Sequence, residues 1–262
     1  MRTSLFWLLM LITVRVAAGT ESASEFATEV TGRIEIAADG SVSSYKLDDN
    51  LNAVIKQAVD KNIQGWRFEP VTVDGHPVIA ATTLRLHLKA IPVGRDDYRL
   101  QVANVWFGEP ERAHSMQAPA YPADAERQSV QGRVVLVLRL DESGNVTDVH
   151  PEQTSLSVSQ GGKRGQRWRR LFETTSIEAA KNWKFTMTEL VNGEPVGGSV
   201  RIPVDYLFQG STWAQYIPGP VVPAPWAEDT PLAQAVANHQ GNQTQPLDSR
   251  FRLKNEIIGT TL

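Results

Sequence analysis

The sequence predicts an α+β protein of two tandem small domains, each an antiparallel sheet backed by one helix in the order β-β-α-β-β. The 262-residue chain exceeds one average domain in length. Residues 66–78 (WRFEPVTVDGHPV) and 183–196 (WKFTMTELVNGEPV) both read Trp-x-Phe, then a turn, then Gly-x-Pro-Val. A Gly-Arg pair stands at the start of an apolar stretch at 32 and again at 132. Two matched sets of motifs in the same order favour a duplicated unit.

The first half supplies each predicted element in turn. Residues 30–37 (VTGRIEIA) alternate between apolar and polar, and a turn and a second extended stretch at 42–47 follow, which indicates a hairpin. Apolar residues spaced three or four apart between 51 and 63 predict a helix. Residues 66–73 alternate again, and Pro77 begins the last predicted strand.

The second half repeats that order. Gly132 begins the apolar strand GRVVLVLRL, and a turn and a short strand reaching Val149 follow. Thr175 and Glu178 have the spacing of a capping box, so the sequence predicts a helix beginning there and running to the second Trp motif. The last predicted strand covers 195–208. We expect the two copies to fold as separate units.

The Trp-x-Phe motifs predict structural plugs. A Trp where a helix is followed by a strand can pack between helix and sheet, and a Phe two residues later points to the same face. Asp-Gly and Asn-Gly favour the positive φ angles of a tight hairpin. The residues assigned to this structural role are Trp66, Phe68, Gly75, Trp183, Phe185 and Gly193.

The first residues have the composition of a secretory signal peptide. Arg2 precedes an apolar run from 5 to 14, and small residues occupy 17–19. The run is shorter than a membrane span and is followed by Arg15, so we expect cleavage after residue 18 and export to the periplasm, with an uncleaved anchor as the alternative. The chain has no Cys, which excludes disulfides, thiolate ligands and a cysteine-linked lipid.

The sequence shows no pattern typical of catalysis. The five His residues lack metal-ligand spacing, and paired carboxylates fall at predicted turns and caps. We therefore predict no enzyme activity, no cofactor and no metal site. The formal net charge of −3 gives no reason to expect a nucleic-acid partner. The basic run at 163–170 (KRGQRWRR) is interpreted as a loop before the helix, either solvated or docked on an anionic surface such as lipopolysaccharide phosphates.

Residues 119–208 resemble the C-terminal domain of TonB-family energy transducers. The resemblance rests on the Tyr121-Pro122 pair, on Gly132, on the helix running into Trp183-x-Phe185, and on the hairpin Gly193-x-Pro-Val. Residues 29–90 are similar but lack the Tyr-Pro pair, so we interpret them as a degenerate copy.

The resemblance implies a periplasmic protein-binding module of a Gram-negative bacterium. In this family the domain holds an extended segment of an outer-membrane receptor by adding it as a strand to a sheet edge. The expected edge is the last strand, with the Tyr-Pro pair close by. Its candidate residues are Val200, Ile202, Val204, Tyr206, Phe208, Tyr121 and Pro122.

The family's energy transducers also carry an uncleaved membrane helix and a long Pro-rich spacer. The sequence shows neither, so we expect that the chain does not pull on a receptor by itself.

These inferences give one domain plan. It consists of a signal peptide (1–18), a degenerate TonB-like domain (20–95), a connecting strand and linker (96–118), a TonB-like domain (119–209) and a Pro-rich flexible tail (210–262).

The predicted function is peptide capture by strand addition, linked to outer-membrane receptor transport, with no integral membrane anchor after processing. Two alternatives remain. The first is an envelope-associated structural protein with no free sheet edge, and the second is a hydrolase with a site between the domains.

Overall fold

The structure is a computed structural model that describes residues 27–94, 97–114, 116–158, 162–208, 216–227 and 244–262. The expected signal peptide lies outside the described residues. The first half contains β1 (Ala27–Ile36), β2 (Val42–Leu47), α1 (Ala53–Ile63), β3 (Thr72–Val73), β4 (His76–Pro77), β5 (Ala80–Pro92), β6 (Tyr98–Phe107) and β7 (Glu111–Arg112). The second half contains α2 (Ala123–Arg127), β8 (Gly132–Leu140), β9 (Val146–Leu156), α3 (Gly162–Ala180), β10 (Phe185–Thr186), β11 (Leu190–Val191), β12 (Glu194–Pro195), β13 (Gly198–Tyr206) and β14 (Gln245–Pro246).

Two antiparallel sheets carry the fold. In the first sheet the order is β12-β11-β5-β1-β2, and β6 also pairs with β5. In the second sheet the order is β14-β13-β8-β9. The three central strands therefore follow one plan, β2-β1-β5 and β9-β8-β13. The predicted α+β class is confirmed, and the same strand order recurs in the two halves.

The repeated motifs make the same contact in each half. The Phe68 amide donates to the Gly40 carbonyl at 2.8 Å, and the Phe185 amide donates to the Gly144 carbonyl at 2.9 Å. Both glycines have positive φ, 82° at Gly40 and 76° at Gly144. A Cβ there would lie 2.2 Å from the Phe68 carbonyl oxygen and 1.9 Å from that of Phe185. Each hairpin turn therefore requires glycine because the Trp-x-Phe strand crosses it closely.

The second pair of turns follows the predicted hairpin geometry. Asp74 and Gly75 have φ of 51° and 78°, and Asn192 and Gly193 have φ of 51° and 83°. Two consecutive positive φ angles define a type I′ turn, which matches the twist of paired strands. The turns join β3 to β4 and β11 to β12.

Each half has its own hydrophobic core, but the first core is completed by residues from outside the first half. Phe68 packs edge-on to Phe107 and to Phe251, with ring centroids 5.2 and 5.9 Å apart. Phe251 is buried and belongs to this core, as does Val191 of β11. The hairpin β11–β12 also pairs with β5 through Leu190 and Val191. The contacts therefore differ from the expectation of two self-contained units.

The second helix begins earlier than the sequence indicated. Helix α3 starts at Gly162, so the basic run predicted as a loop forms its first two turns. Its buried residues Trp168, Phe172, Ser176 and Ala180 are spaced four apart and pack on the second sheet. Thr175 does not cap the helix, since its hydroxyl donates to the Leu171 carbonyl within it at 2.7 Å. Burial of the aromatic stripe outweighs the local capping signal.

The described parts of the tail, predicted to be flexible, lie along the sheets. The Ile217 amide donates to the Leu156 carbonyl at 2.8 Å, next to the outer edge of β9. The Leu262 amide donates to the Leu100 carbonyl at 2.9 Å, next to β6. Proline is tolerated at such edges because one side of the strand needs no donor. These described parts of the tail are therefore packed against the sheets, while residues 210–215 and 228–243 of the predicted flexible tail lie outside the described residues.

Candidate functional site

The candidate edge strand β13 turns its even-numbered side chains into the core. Val200, Ile202, Val204 and Tyr206 are all buried, and all belong to the second hydrophobic core. Strand side chains alternate between faces, so the odd-numbered residues face the other side of the sheet. The even-numbered residues hold the strand in place, and any pairing with a partner would use its backbone.

The outer edge of β13 carries another segment of the same chain. Val200 pairs with Pro246, and Arg201 pairs with Gln245. Next to this pairing, the Leu247 amide donates to the Ser199 carbonyl at 2.9 Å. The expectation of an open edge along the whole strand is therefore wrong at 199–201. The physical reason is that residues 245–247 satisfy these backbone groups in cis.

The direction of the β13 amides follows from this contact. Amide and carbonyl of one residue point the same way in an antiparallel strand, and direction alternates along it. The backbone amide and carbonyl of Ser199 point toward β14. Those of Pro203 point to the same edge, where proline supplies no N–H. The backbone amide and carbonyl of Tyr206 point the other way, toward β8, where Tyr206 pairs with Gly132.

The Tyr-Pro pair lies beside the far end of β13, as expected. The Tyr121 ring stacks on Phe208 at 5.2 Å and meets Tyr206 edge-on at 5.6 Å between centroids. Its hydroxyl donates to the Val130 carbonyl at 2.8 Å. Burial, with a smaller contribution from Tyr216, raises the pKa of Tyr121 to about 12. Pro122 is the N-cap residue of the short helix α2. The Tyr121 ring thus packs against the end of the strand, and Pro122 begins helix α2.

The outer face of the second sheet holds a buried ion pair. Arg201 on β13 donates through Nε and Nη2 to both carboxylate oxygens of Glu152 on β9, at 2.5 and 2.7 Å. The two side chains are 2% and 1% exposed. They reach across β8, where Val137 packs with Ala224 of the tail. The tail therefore excludes water from this pair.

A second ion pair joins β8 and β13 directly. Arg133 donates to Asp205 at 2.7 and 3.1 Å. Burial raises the pKa of Asp205, and the hydrogen bond from Arg133 partly offsets that effect. The Tyr216 ring lies 5.9 Å from the Arg133 guanidinium, and Trp226 lies 4.7 Å from that of Arg139. Arginine side chains on this face thus form cation–π contacts with aromatic side chains of the tail.

These contacts were missed from the sequence. Arg133, Arg139 and Arg201 alternate with core residues, and this pattern indicated only that they face away from the core. Nothing in the spacing showed that residues 216–227 cover the same face. Tyr216 and Trp226 carry no local signal that identifies their partners.

In the described ranges, no three His, Asp or Glu side chains form a group that could hold a metal ion. His150 contacts the Val222 carbonyl at 2.8 Å through Nε2, a contact with the tail. None of the helices in the described part of the chain is long and apolar enough to cross a membrane.

The second half is thus a small sheet backed by one helix, with an edge strand that pairs with an extended segment. Residues 117–157, which include α2, β8 and β9, match the family described as Gram-negative bacterial TonB protein C-terminal. Protein TonB of Xanthomonas campestris pv. campestris strain B100 is 36% identical over 92 residues, and so is that of strain ATCC 33913. Each match covers 35% of this chain and 35% of the relative. The resemblance to the TonB C-terminal family is confirmed for this part of the chain.

Proposed function

We propose that the chain is a periplasmic, TonB-like protein-interaction module that captures an extended peptide on the β13 edge. The partner is a segment of an envelope protein, with an outer-membrane receptor as the favoured source. Capture is non-catalytic and uses main-chain hydrogen bonds, as in other cases of strand addition. The bound peptide takes the place of the tail segment 245–247.

The observation that carries this proposal is the pairing of β13 with β14. β14 pairs with β13 at only two positions, Val200–Pro246 and Arg201–Gln245, and the paired residues are 46 and 44 positions apart in sequence. The Asp248 carboxylate accepts from the Ser199 amide at 2.6 Å and extends the contact by one residue. So short a ladder is weak compared with the full β8–β13 pairing, and a longer partner strand can displace it.

The first experiment tests whether this edge accepts a strand in trans. The variant Leu247→Pro with Asp248→Ala removes the donor to the Ser199 carbonyl and the acceptor for the Ser199 amide. A fluorescent peptide with the sequence of residues 244–250 (TQPLDSR) serves as the probe, and binding is followed by anisotropy. We expect the variant to bind the peptide and the wild type to bind it much more weakly, since the tethered segment competes at high effective concentration.

A matched control variant keeps the β13 contacts and changes exposed residues of the same segment. Arg252 and Glu256 are exposed, and the double substitution Arg252→Ala with Glu256→Ala leaves residues 245–248 intact. This control should behave as the wild type. Failure of the release variant to bind the peptide, with its fold intact by circular dichroism, would argue against strand addition at β13.

A second candidate function is that of an envelope-associated structural protein. The observation in its favour is that extended segments of the same chain pair with several strand edges. β5 pairs with β1, β6 and β11, and the tail reaches β6, β9 and β13. β2 ends the first sheet, with an isolated bridge from Ser41 to Arg67 at its start. Such a protein would hold its tail permanently and use other surfaces.

Photo-crosslinking separates the two functions. A photoreactive amino acid at Pro203, beside the end of β14, is introduced into the full-length protein in Gram-negative cells. Crosslinks to an outer-membrane protein are expected from the capture module. Crosslinks confined to this chain's own tail would favour the structural alternative.

A further inference from the structure

The first half of α3 exposes a set of positive charges on one side of the helix. Four residues of the run predicted as a loop are exposed and lie at helical spacing. We call them the cationic face: Lys163, Arg164, Arg167 and Arg170. The buried residues of the same turns, Gly165 and Trp168, point to the second sheet. The helix therefore separates its charges from its packing side.

The charges of the cationic face are barely compensated within the described residues. Arg167 forms an ion pair with Asp124 of α2 at 2.6 Å. Asp124 is shared with Arg127, so it balances only part of the local charge. No ion pair to Lys163, Arg164 or Arg170 occurs within the described ranges.

The placement of these cations opposes the stability of the helix. The N-terminal end of a helix carries a partial positive charge, so acidic residues are favourable in the first turn and cations are unfavourable. The first turn of α3 contains no acidic residue, and Lys163 and Arg164 occupy it instead. Packing and helix stability give no reason for this arrangement. Binding of an anionic partner does.

An apolar rim lies next to the cationic face. Pro220 and Val222 line a cavity of about 320 Å³ together with Arg169 and Arg170. Glu152 and Glu173 also line it, but Glu152 is paired with Arg201 and Glu173 accepts from the Thr154 hydroxyl. Val221 and Val222, on the same tail segment, are 47% and 54% exposed. The Val222 amide donates to the Glu152 carbonyl at 2.8 Å, which fixes the segment against β9. Exposed valines beside arginines form a surface that is both apolar and cationic.

We propose that the cationic face and this apolar rim together dock the protein on a phospholipid surface that carries anionic headgroups. Arginine and lysine contact lipid phosphates, and the valine side chains enter the boundary between headgroups and acyl chains. A nucleic acid would use the charges but not the exposed valines. The net charge of −3 over the whole chain means that this attraction depends on the local cluster. Docking on the lipid surface would be separate from peptide capture, because the outer edge of β13 faces β14, on the side of the strand away from β9.

The test is co-sedimentation of the full chain with vesicles. Vesicles of phosphatidylglycerol and phosphatidylcholine in equal parts are compared with phosphatidylcholine alone, at low and at high salt. We expect binding to the anionic vesicles only, and weaker binding at high salt. Each cation near an anionic surface raises the partition coefficient onto the vesicles by about five-fold.

The deciding variant reverses three charges of the cationic face that have no ion pair within the described ranges: Lys163→Glu, Arg164→Glu and Arg170→Glu. It should lower partitioning on the order of 100-fold. Its thermal midpoint should not fall, because two of the new carboxylates lie in the first helical turn. If the triple variant does not fold, the corresponding Gln variants serve in its place.

The matched control makes the same change in net charge elsewhere. Lys46, Lys61 and Arg99 are exposed cations of the first half, and each is replaced by Glu. This variant should bind vesicles nearly as well as the wild type. A further variant, Val221→Ser with Val222→Ser, should weaken binding at both salt concentrations, as expected for the apolar rim.

Three results would overturn the proposal: no binding of the wild type to anionic vesicles, equal losses in the two charge-reversal variants, or tighter binding to a duplex DNA probe than to vesicles.

Discussion

At the scale of single residues, two tryptophans occupy equivalent positions where a helix ends and a strand begins. Trp66 follows α1 and Trp183 follows α3, and the two residues are 4% and 7% exposed. The amides of Trp66 and Trp183 donate to the carbonyls of Ile63 and Ala180 at 3.1 and 3.0 Å. The same residue type therefore closes the helix and fills the core in both halves.

Replacing either tryptophan should open a large cavity. Trp66→Ala and Trp183→Ala are each expected to lower the free energy of unfolding by roughly 3–5 kcal/mol. Urea denaturation followed by circular dichroism measures both. Trp183→Phe is the control for the second site, since it keeps an aromatic ring but loses the Nε1 hydrogen bond to the Gln117 carbonyl. Losses below about 1 kcal/mol would mean that the rings do not support the core.

Two glycines with similar φ angles should differ in their tolerance of alanine. Gly144→Ala would place a Cβ 1.9 Å from the Phe185 carbonyl oxygen, whereas a Cβ at Gly193 meets nothing within 4 Å. Gly193→Ala should cost about 1–2 kcal/mol from backbone strain alone. Gly144→Ala should cost clearly more, because the crossing strand must also move. Equal midpoints in thermal unfolding would contradict this reading of the turn.

The carboxyl group of Glu109 should give the protein a specific pH dependence. Burial raises the pKa of Glu109 above its ordinary value of 4.5, against the lowering effects of Arg85 and Arg112. The folded state therefore binds the proton more readily than the unfolded state. The stability from this group is fully present below pH 4.5 and is lost as the pH rises through the raised pKa.

Glu109→Gln removes this titration and keeps an acceptor for Arg85, which contacts Glu109 at 2.9 Å. We expect the free energy of unfolding of the wild type, minus that of the variant, to increase as the pH falls from neutral to about 4.5. Urea titrations across this range measure the difference. A difference that stays constant with pH would show that the carboxyl is not perturbed.

At the scale of elements, alternation and turn chemistry predicted the strands well. β1, β2, β5, β8 and β13 fall close to where apolar and polar residues alternate between Gly, Asp and Asn turns. These signals are local, because side-chain direction and positive φ are properties of a few consecutive residues. The start of α3 could not be predicted in this way. Most residues at 163–170 are charged, so the two buried residues among them, Gly165 and Trp168, do not form a recognisable apolar pattern.

The candidate site was predicted only in part. Tyr121 was expected near β13, and the structure brings its ring against Tyr206 and Phe208. The pairing partner of the edge was not predicted, because strand pairing between distant segments depends on tertiary contacts that leave no spacing in the sequence. Residues 245–246 show neither alternation nor β-branched enrichment.

The buried ion pair between β9 and β13 gives the element scale its own prediction. Arg201→Met alone leaves the Glu152 carboxylate buried without its partner and should cost about 3–5 kcal/mol. The double variant Arg201→Met with Glu152→Met should recover most of this loss, because two apolar side chains fit beneath the tail. Thermal unfolding of the two single variants and the double variant completes the cycle. Additive losses would show that the side chains do not interact.

At the scale of the whole molecule, the tail connects the two sheets. Phe251 lies in the first core, while the Leu247 amide, four residues earlier, donates to Ser199 in the second sheet. Glu189 ties the same segment to β11, since it accepts from the Arg250 amide at 3.0 Å and from the Ser249 hydroxyl at 2.8 Å. The first half therefore depends on residues that follow the second half in sequence.

Phe251→Ala should destabilise the first core although the residue belongs to the tail. The expected loss is about 3–5 kcal/mol, since the ring packs against both Phe68 and Phe107. Ile258→Ala is the control, because Ile258 is exposed and its loss should change stability by no more than about 0.5 kcal/mol. A fragment ending at residue 108 should accordingly unfold at lower urea than the full chain. Unchanged stability of Phe251→Ala would show that the first core closes without the tail.

The distance between partners in the first core also has a kinetic consequence. The Arg67 amide donates to Asn255 across a sequence separation of 188 residues. Contacts between residues so far apart in sequence slow folding, because the chain must lose the entropy of closing a long loop before the contact can stabilise it. A chain synthesised from its N-terminus onward would expose Phe68 and Phe107 until residues 251–262 are made. We therefore expect the first core to close last although its strands are made first, and we expect aggregation to compete with folding during that interval.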